Sequence, residues 1–267
     1  MPYKRPFIGD FEKSMAEHPT FPVVIAEGDS WFSFADVIGQ LDDPKDTGAA
    51  KDQRAWALLR LEKAGDEILT ILSGAQRAKL RSHFKRWQLD ALLFSGGGND
   101  IIGPDLLPLL RDFTPGAAVQ DLVQFSRFER RLRQVQDCYR ELLDILTDAG
   151  QTCKLFVNSY DYVVPSTKGA ELLGFLKVSG PWVLPHLNER GIPKAMHGDV
   201  IQLLIDAFAS AIDAVAAEPR GVGRLVRIET RGVVRNDWQD EIHPNTKGAR
   251  RVAKAFETAL KAEGVIA

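Results

Sequence analysis

The chain has 267 residues, 45% hydrophobic and 26% charged, enough apolar material for a full core and too ordinary a charge content for a disordered chain. Lys and Arg number 34 against 36 Asp and Glu, so the net charge of -2 leaves no broad electrostatic footprint for nucleic acid or an anionic membrane. Cys138 and Cys153 are the only cysteines, which excludes a disulfide framework and, without histidine help, a structural zinc site. The N-terminal residues carry no apolar signal-peptide core, and no apolar run approaches the roughly 18 residues needed to span a bilayer. The simplest expectation is a cytoplasmic protein with reduced thiols.

Residues 1–21, with prolines at 2, 6 and 19, read as an arm before a single domain over 22–267. FPVVIA (21–26) is a short β-branched run typical of a buried strand, and it leads through Glu27-Gly28-Asp29-Ser30 into a helical pattern at Phe34, Val37, Ile38 and Leu41. Residues 42–54 read as polar loop. AWALLRL (55–61) is ambiguous: Ala and Leu favour helix, whereas the position favours a strand. A helix is expected after Gly65, with Ile68, Leu69, Ile71 and Leu72 on its apolar side. LDALLFS (89–95) is a second clear strand, running into Gly96-Gly97-Gly98-Asn99-Asp100.

Residues 118–149 predict one long amphipathic helix with Leu122, Phe125, Phe128, Leu132, Val135, Leu142 and Ile145 on one side. CKLFVNS (153–159) is a third strand. Residues 161–198, rich in Gly, Pro and aromatics, read as an irregular insertion. A helix over 199–217, a last strand RLVRIE (224–229) and a final helix over 246–262 complete the chain. Alternating strands and helices, with strands apolar throughout, point to a parallel sheet covered on both faces. Ligands in such sheets sit at the carboxyl ends of the strands.

Those ends hold the parts an acyl-transfer enzyme needs: a nucleophile, a base, a carboxylate to orient the base, and donors for an oxyanion. Ser30 follows the first strand. Gly65 follows the presumed second. Gly97-Gly98-Asn99-Asp100 follows the next. Asp240 and His243 lie past the last strand, three apart, a spacing that puts them on one face of a helical turn. Each motif has a plainer reading. Gly-Asp-Ser is a common turn whose serine can cap a helix, the glycine run is a flexible loop, and Asp240 to His243 can be a surface turn before Pro244. All three at strand ends together make the stronger case.

In that order these residues resemble the SGNH, or GDSL-type, hydrolase family. Gly28-Asp29-Ser30 matches its first block, Gly65 the glycine of its second, Gly97 to Asp100 its Gly-x-Asn-Asp, and 240–243 its Asp-x-x-His. The match runs over about nine-tenths of the chain, although the second block lacks a β-branched strand before its glycine. The resemblance implies a three-layer α/β/α sandwich with a flavodoxin-like, mainly parallel five-stranded sheet. It implies a Ser30–His243–Asp240 triad, and an oxyanion hole from the N–H groups of Ser30 and Gly65 and the Asn99 side chain. Gly28, Asp29, Gly97 and Asp100 support it, and no metal or organic cofactor is implied.

Cleavage of a small-molecule, lipid or carbohydrate ester through an acyl-enzyme is the expected activity. A thioesterase, a lysophospholipase or a carbohydrate deacetylase would use the same site, and a binding module that kept the fold without turnover is the rival of another class. A flavodoxin-like nucleotide binder is disfavoured by the lack of a phosphate loop.

Other signals do not find their context. Ser82-x-x-Lys85 and Asp46-Thr47-Gly48 lack companion motifs, and no Gly-x-Ser-x-Gly elbow occurs. Arg127, Arg130, Arg131 and Arg133 read as a solvated helix face, with a regulatory anion site as the alternative. Trp31, Phe32, Trp182 and Trp238 are equally candidates for core or for an acyl or sugar site. Phe175, Trp182 and Leu187 mark the 161–198 insertion as a cover over the strand ends that shapes substrate choice.

Overall fold

The β-branched run after Pro22 forms β1 (Val23–Gly28), buried along all but its first residue, as expected of a strand covered on both faces. The computed structural model of the chain describes residues 8–42, 56–172 and 176–267. Residues 1–7 of the predicted arm, nearly all of the 42–54 loop, Asp46-Thr47-Gly48 and Phe175 lie outside the described residues.

Around β1 are β2 (Ala57–Arg60), β3 (Ala91–Ser95), β4 (Lys154–Asn158) and β7 (Leu225–Ile228), all parallel in the order β2-β1-β3-β4-β7. The ambiguous 55–61 segment is thus an edge strand. The intervening helices are α2 (Ser30–Ser33) and α3 (Val37–Leu41) after β1, then α4 (Ile68–Ile71) and α5 (Gly74–Arg86) after β2. After β3 come α6 (Gly98–Ile101) and α7 (Phe125–Asp148).

Crossovers between parallel strands are right-handed, so the direction of each step along the sheet decides which face its helix covers. β1 steps one way to β2, whereas β2, β3 and β4 each step the other way. Hence α3 lies on one face, where it packs against the C-terminal α10 (Thr246–Ala262), and α7 packs against α9 (Lys194–Ala216) on the other. The order reverses between β1 and β3, and the loops leaving those two strands therefore part to form a crevice. Their ends are level, with Gly28 paired to Ser95. The crevice lies beside Ser30.

Three expectations need correction. The predicted arm contains α1 (Ile8–Glu17), because Phe11 fits the core, with its ring edge-on to Trp87 at 5.1 Å, and the helix covers edge strand β2. The predicted helix over 118–149 is broken: Val119–Leu122 is a 3-10 turn and α7 begins at Phe125. A short bridge between Leu110 and Val123 pulls the chain out of helical geometry there, and it leaves Phe125 exposed rather than on the apolar face.

The described residues of the 161–198 insertion include regular elements. The insertion contains an antiparallel hairpin, β5 (Ala170–Leu172) with β6 (Leu176–Ser179), then α8 (Leu184–Glu189), and it runs into α9 at Lys194 rather than at 199. Of the arginines on α7, Arg127, Arg130 and Arg133 are exposed, whereas Arg131 pairs with Asp105 at 2.8 Å and donates to the Asp100 carbonyl. Cys138 and Cys153 are free and buried.

Candidate active site

β1 can approach β3 this closely only because residue 28 is glycine: a Cβ there would sit 2.2 Å from the Ser95 carbonyl oxygen. The chain then turns at Asp29, whose N–H donates to that same carbonyl at 2.9 Å. Asp29 Oδ1 accepts from the Trp31 N–H at 3.0 Å and from Ser95 Oγ at 2.9 Å, and Oδ2 accepts from the Tyr160 hydroxyl at 2.5 Å. Asp29 is therefore the N-cap of α2 and leaves Ser30 at the first helical position, its own N–H not taken by the cap. Burial pushes the Asp29 carboxyl up to about 6, outweighing the Tyr160, Trp31 and Ser95 hydrogen bonds that lower it.

Asp240 and His243 meet without a helix. A bridge between Trp238 and Pro244 pinches their loop, and Asp240 Oδ1 accepts from the Ile242 and His243 N–H groups at 2.9 and 2.8 Å. His243 Nδ1 lies 2.8 Å from Asp240 Oδ2 and 3.0 Å from Oδ1. That pairing assigns the proton to Nδ1 and leaves the Nε2 lone pair free. Nε2 is buried and has no hydrogen-bond partner among the described residues. No hydrogen bond joins Ser30 to His243 Nε2 in this structure. Phe34 and Trp182 flank the imidazole at ring distances of 4.7 and 5.3 Å.

Asn99 is reached through Gly97, which turns the chain with φ +99° in the left-handed region. Its amide Nδ2 donates to the Asp66 carbonyl at 3.0 Å, which fixes the side chain and leaves the second amide proton unused by that bond. Asp100 points the other way, accepting from the Ile68 N–H at 2.9 Å, and burial pushes its carboxyl up to about 6. Ser30, Gly98 and Asn99 line one cavity together with Tyr160 and Ile242. Gly65 is exposed and does not line that cavity, although it adjoins Asp66, which holds Asn99.

Tyr160 and Glu241 were not legible as site residues in the sequence. Tyr160 follows β4 in a left-handed conformation (φ 58°) and braces Asp29 from below. Its position at a strand end was the available signal. Glu241 sits inside Asp240-Glu241-Ile242-His243, fully buried, and its carboxylate accepts backbone N–H bonds from Ser166, Trp182, Val183 and Leu184 of the insertion. Its carbonyl accepts from Val164. The insertion is thereby tied to the Asp240–His243 loop. Trp31 and Phe32 are buried, Phe32 against Phe256 in the core, whereas Trp182 and Trp238 are half-buried.

Among the described residues no group of His, Cys, Asp or Glu side chains is arranged to hold a metal ion, and no helix is long and apolar enough to cross a membrane. By sequence, no family model and no curated protein matches the chain. Among solved structures it is similar to a lipase from a goat-rumen metagenome, with TM-score 0.54 and 14% identity, over 89% of this chain and 97% of that one. It is similar also to an extracellular lipase from Streptomyces rimosus, with TM-score 0.52 and 12% identity, over 89% and 99%. A Slackia heliotrinireducens protein classed provisionally as an SGNH hydrolase gives TM-score 0.50 and 12% identity, over 90% and 100%. Identities this low speak to architecture alone. With its parallel sheet in the order β2-β1-β3-β4-β7 flanked by helices, the chain has the flavodoxin-like fold of the SGNH, or GDSL-type, hydrolases.

Proposed function

We propose that the protein is a serine hydrolase that cleaves a carboxylic ester through an acyl-enzyme. The observation that carries this reading is the Asp240–His243 pair, which presents a buried, unpartnered Nε2 on a loop whose Ile242 carbonyl accepts from Trp31, the residue after Ser30. His243 takes the Ser30 hydroxyl proton as Oγ bonds to the ester carbonyl carbon, and returns it to the departing alcohol. Asp240 holds the imidazole in the required tautomer and stabilises the imidazolium. Water then attacks the acyl-enzyme, with His243 again the base, and releases the carboxylic acid. The Ser30 N–H, the second Asn99 amide proton and the Gly65 N–H are the proposed oxyanion donors.

The lipase names among its structural neighbours fit an ester substrate. A thioester, lysophospholipid or acetylated carbohydrate would use the same chemistry. Turnover of nitrophenyl esters by the wild-type chain, lost in Ser30→Ala and His243→Ala, tests the reading; undiminished turnover in either variant overturns it.

A further inference from the structure

The cavity beside Ser30 has a direction and a size. Of its lining residues only Asn99 is not buried, so it opens at Asn99 and runs inward. Its inner wall is Ile102, Val163, Ile205 and Ile242, each at least nine-tenths buried. Its polar neighbours offer little to a ligand. The Tyr160 hydroxyl is spent on Asp29, Asp29 is filled by three donors, and the Trp31 ring N–H is spent on the Ile242 carbonyl.

The volume is about 20 Å³. A cavity needs about 10–15 Å³ on this measure to hold one water, so the space inside this one holds a single group of methyl size, and a longer chain would have to leave it through the opening at Asn99. Ser30 and Asn99 both line the cavity, so with a substrate carbonyl oxygen on the proposed Ser30 and Asn99 donors the substituent on the carbonyl carbon enters it.

We infer that the ester cleaved is an acetyl ester, the methyl filling the space bounded by Ile102, Val163, Ile205 and Ile242. This rests on the serine-hydrolase reading and adds the acyl group to it. Neither end of the wall yields easily. Ile205 lies midway along the 23-residue α9. Val163 is held from the other side, since the next residue, Val164, donates its N–H to the Glu241 carbonyl at 3.2 Å. Val163 is therefore the insertion's contribution to the pocket wall.

The test compares kcat/KM for nitrophenyl acetate, butyrate and octanoate, each divided by its rate of hydroxide-catalysed hydrolysis. Acetate should lead and butyrate should fall at least about tenfold behind, the range typical of one or two surplus methylenes in an apolar pocket. Val163→Ala should recover about tenfold of that gap for butyrate, and Ile205→Val, which keeps most of the core contact, should move the ratio the same way. A wild-type protein that labels at Ser30 with a fluorophosphonate but prefers octanoate overturns the acetyl assignment and leaves the hydrolase reading standing. A wild-type ranking that neither variant alters overturns the assignment of this wall. A folded protein that neither labels nor turns over any of the esters removes both.

Discussion

The Trp31 ring Nε1 donates to the carbonyl oxygen of Ile242 at 3.1 Å, joining the residue after Ser30 to the residue before His243. The two segments lie 211 positions apart, and the bond is buried. It fixes the Ser30 segment against the His243 segment through a rigid indole rather than a flexible side chain. Trp31→Phe keeps the apolar bulk, removes the donor and leaves a buried carbonyl without a partner, at a cost of about 1–3 kcal/mol in stability. Misplacement of the imidazole by a fraction of an ångström should lower kcat by about 10- to 100-fold with KM little changed. Steady-state kinetics with a melting curve checks both; wild-type kcat in this variant removes the indole from the positioning of the triad.

Asn99 separates oxyanion stabilisation from proton transfer. In the proposed mechanism its amide bond to a substrate oxygen strengthens as negative charge develops, so Asn99→Ala should act on kcat more than on KM. The loss expected of one such donor is about 10²–10³ in rate. Activity should stay measurable, whereas His243→Ala, with no base left, should lose more. Asn99→Ala with wild-type kcat would take the side chain out of the mechanism.

Glu241 predicts an effect on the insertion. In Glu241→Gln one of the two oxygens becomes an amide nitrogen that faces backbone N–H groups instead of accepting from them. Losing charge-assisted bonds of this kind should cost at least about 3 kcal/mol. Limited proteolysis should then cut between residues 166 and 184 sooner than in the wild type, and kcat should fall because Trp182 no longer packs on His243. Unaltered proteolysis with unaltered kcat would mean the insertion is held by other contacts.

The pH dependence of stability has a sign fixed by burial. Glu27, on β1 beneath the site, is raised from 4.5 to about 7, first by burial and then by Glu62 and Asp66. A carboxyl raised in the fold adds stability that is complete below its unfolded pKa and is lost as pH rises through its folded one. Between about pH 4.5 and 7 this group should withdraw on the order of 3 kcal/mol. Glu27→Gln preserves an acceptor for the Gly28 N–H, which now bonds Oε1 at 2.9 Å. Its melting temperature should fall less than the wild type's between pH 5 and 8. Parallel melting curves across that range would show that Glu27 is ionised without penalty.

Some of the architecture could be read from residues alone and some could not, for physical reasons. β1, β3 and β4 each hold β-branched or aromatic residues within an apolar run because both faces are covered, and that pattern is local. β2 is Ala-Leu-Leu-Arg and has no such signature. Its buried Arg60 is tolerated through Glu62, at 2.7 Å, and through Asp36 from the α2–α3 turn, a long-range pairing that periodicity does not carry. The insertion looks irregular in sequence because its backbone is held from outside it, by the Glu241 carboxylate on the Asp240–His243 loop. Ser30, Asn99, Asp240 and His243 stood out as motifs at strand ends, whereas Tyr160 acts only by bracing Asp29 and has no motif of its own.

The central claim is that Ser30 is the nucleophile, and intact-mass spectrometry after treatment with a fluorophosphonate measures it directly. The wild-type chain should gain one adduct, mapped by peptide analysis to Ser30. Labelling should be absent in Ser30→Ala and strongly slowed in His243→Ala, with circular dichroism confirming that both variants fold. A single adduct retained at undiminished rate in folded Ser30→Ala, on any other residue, would contradict the account.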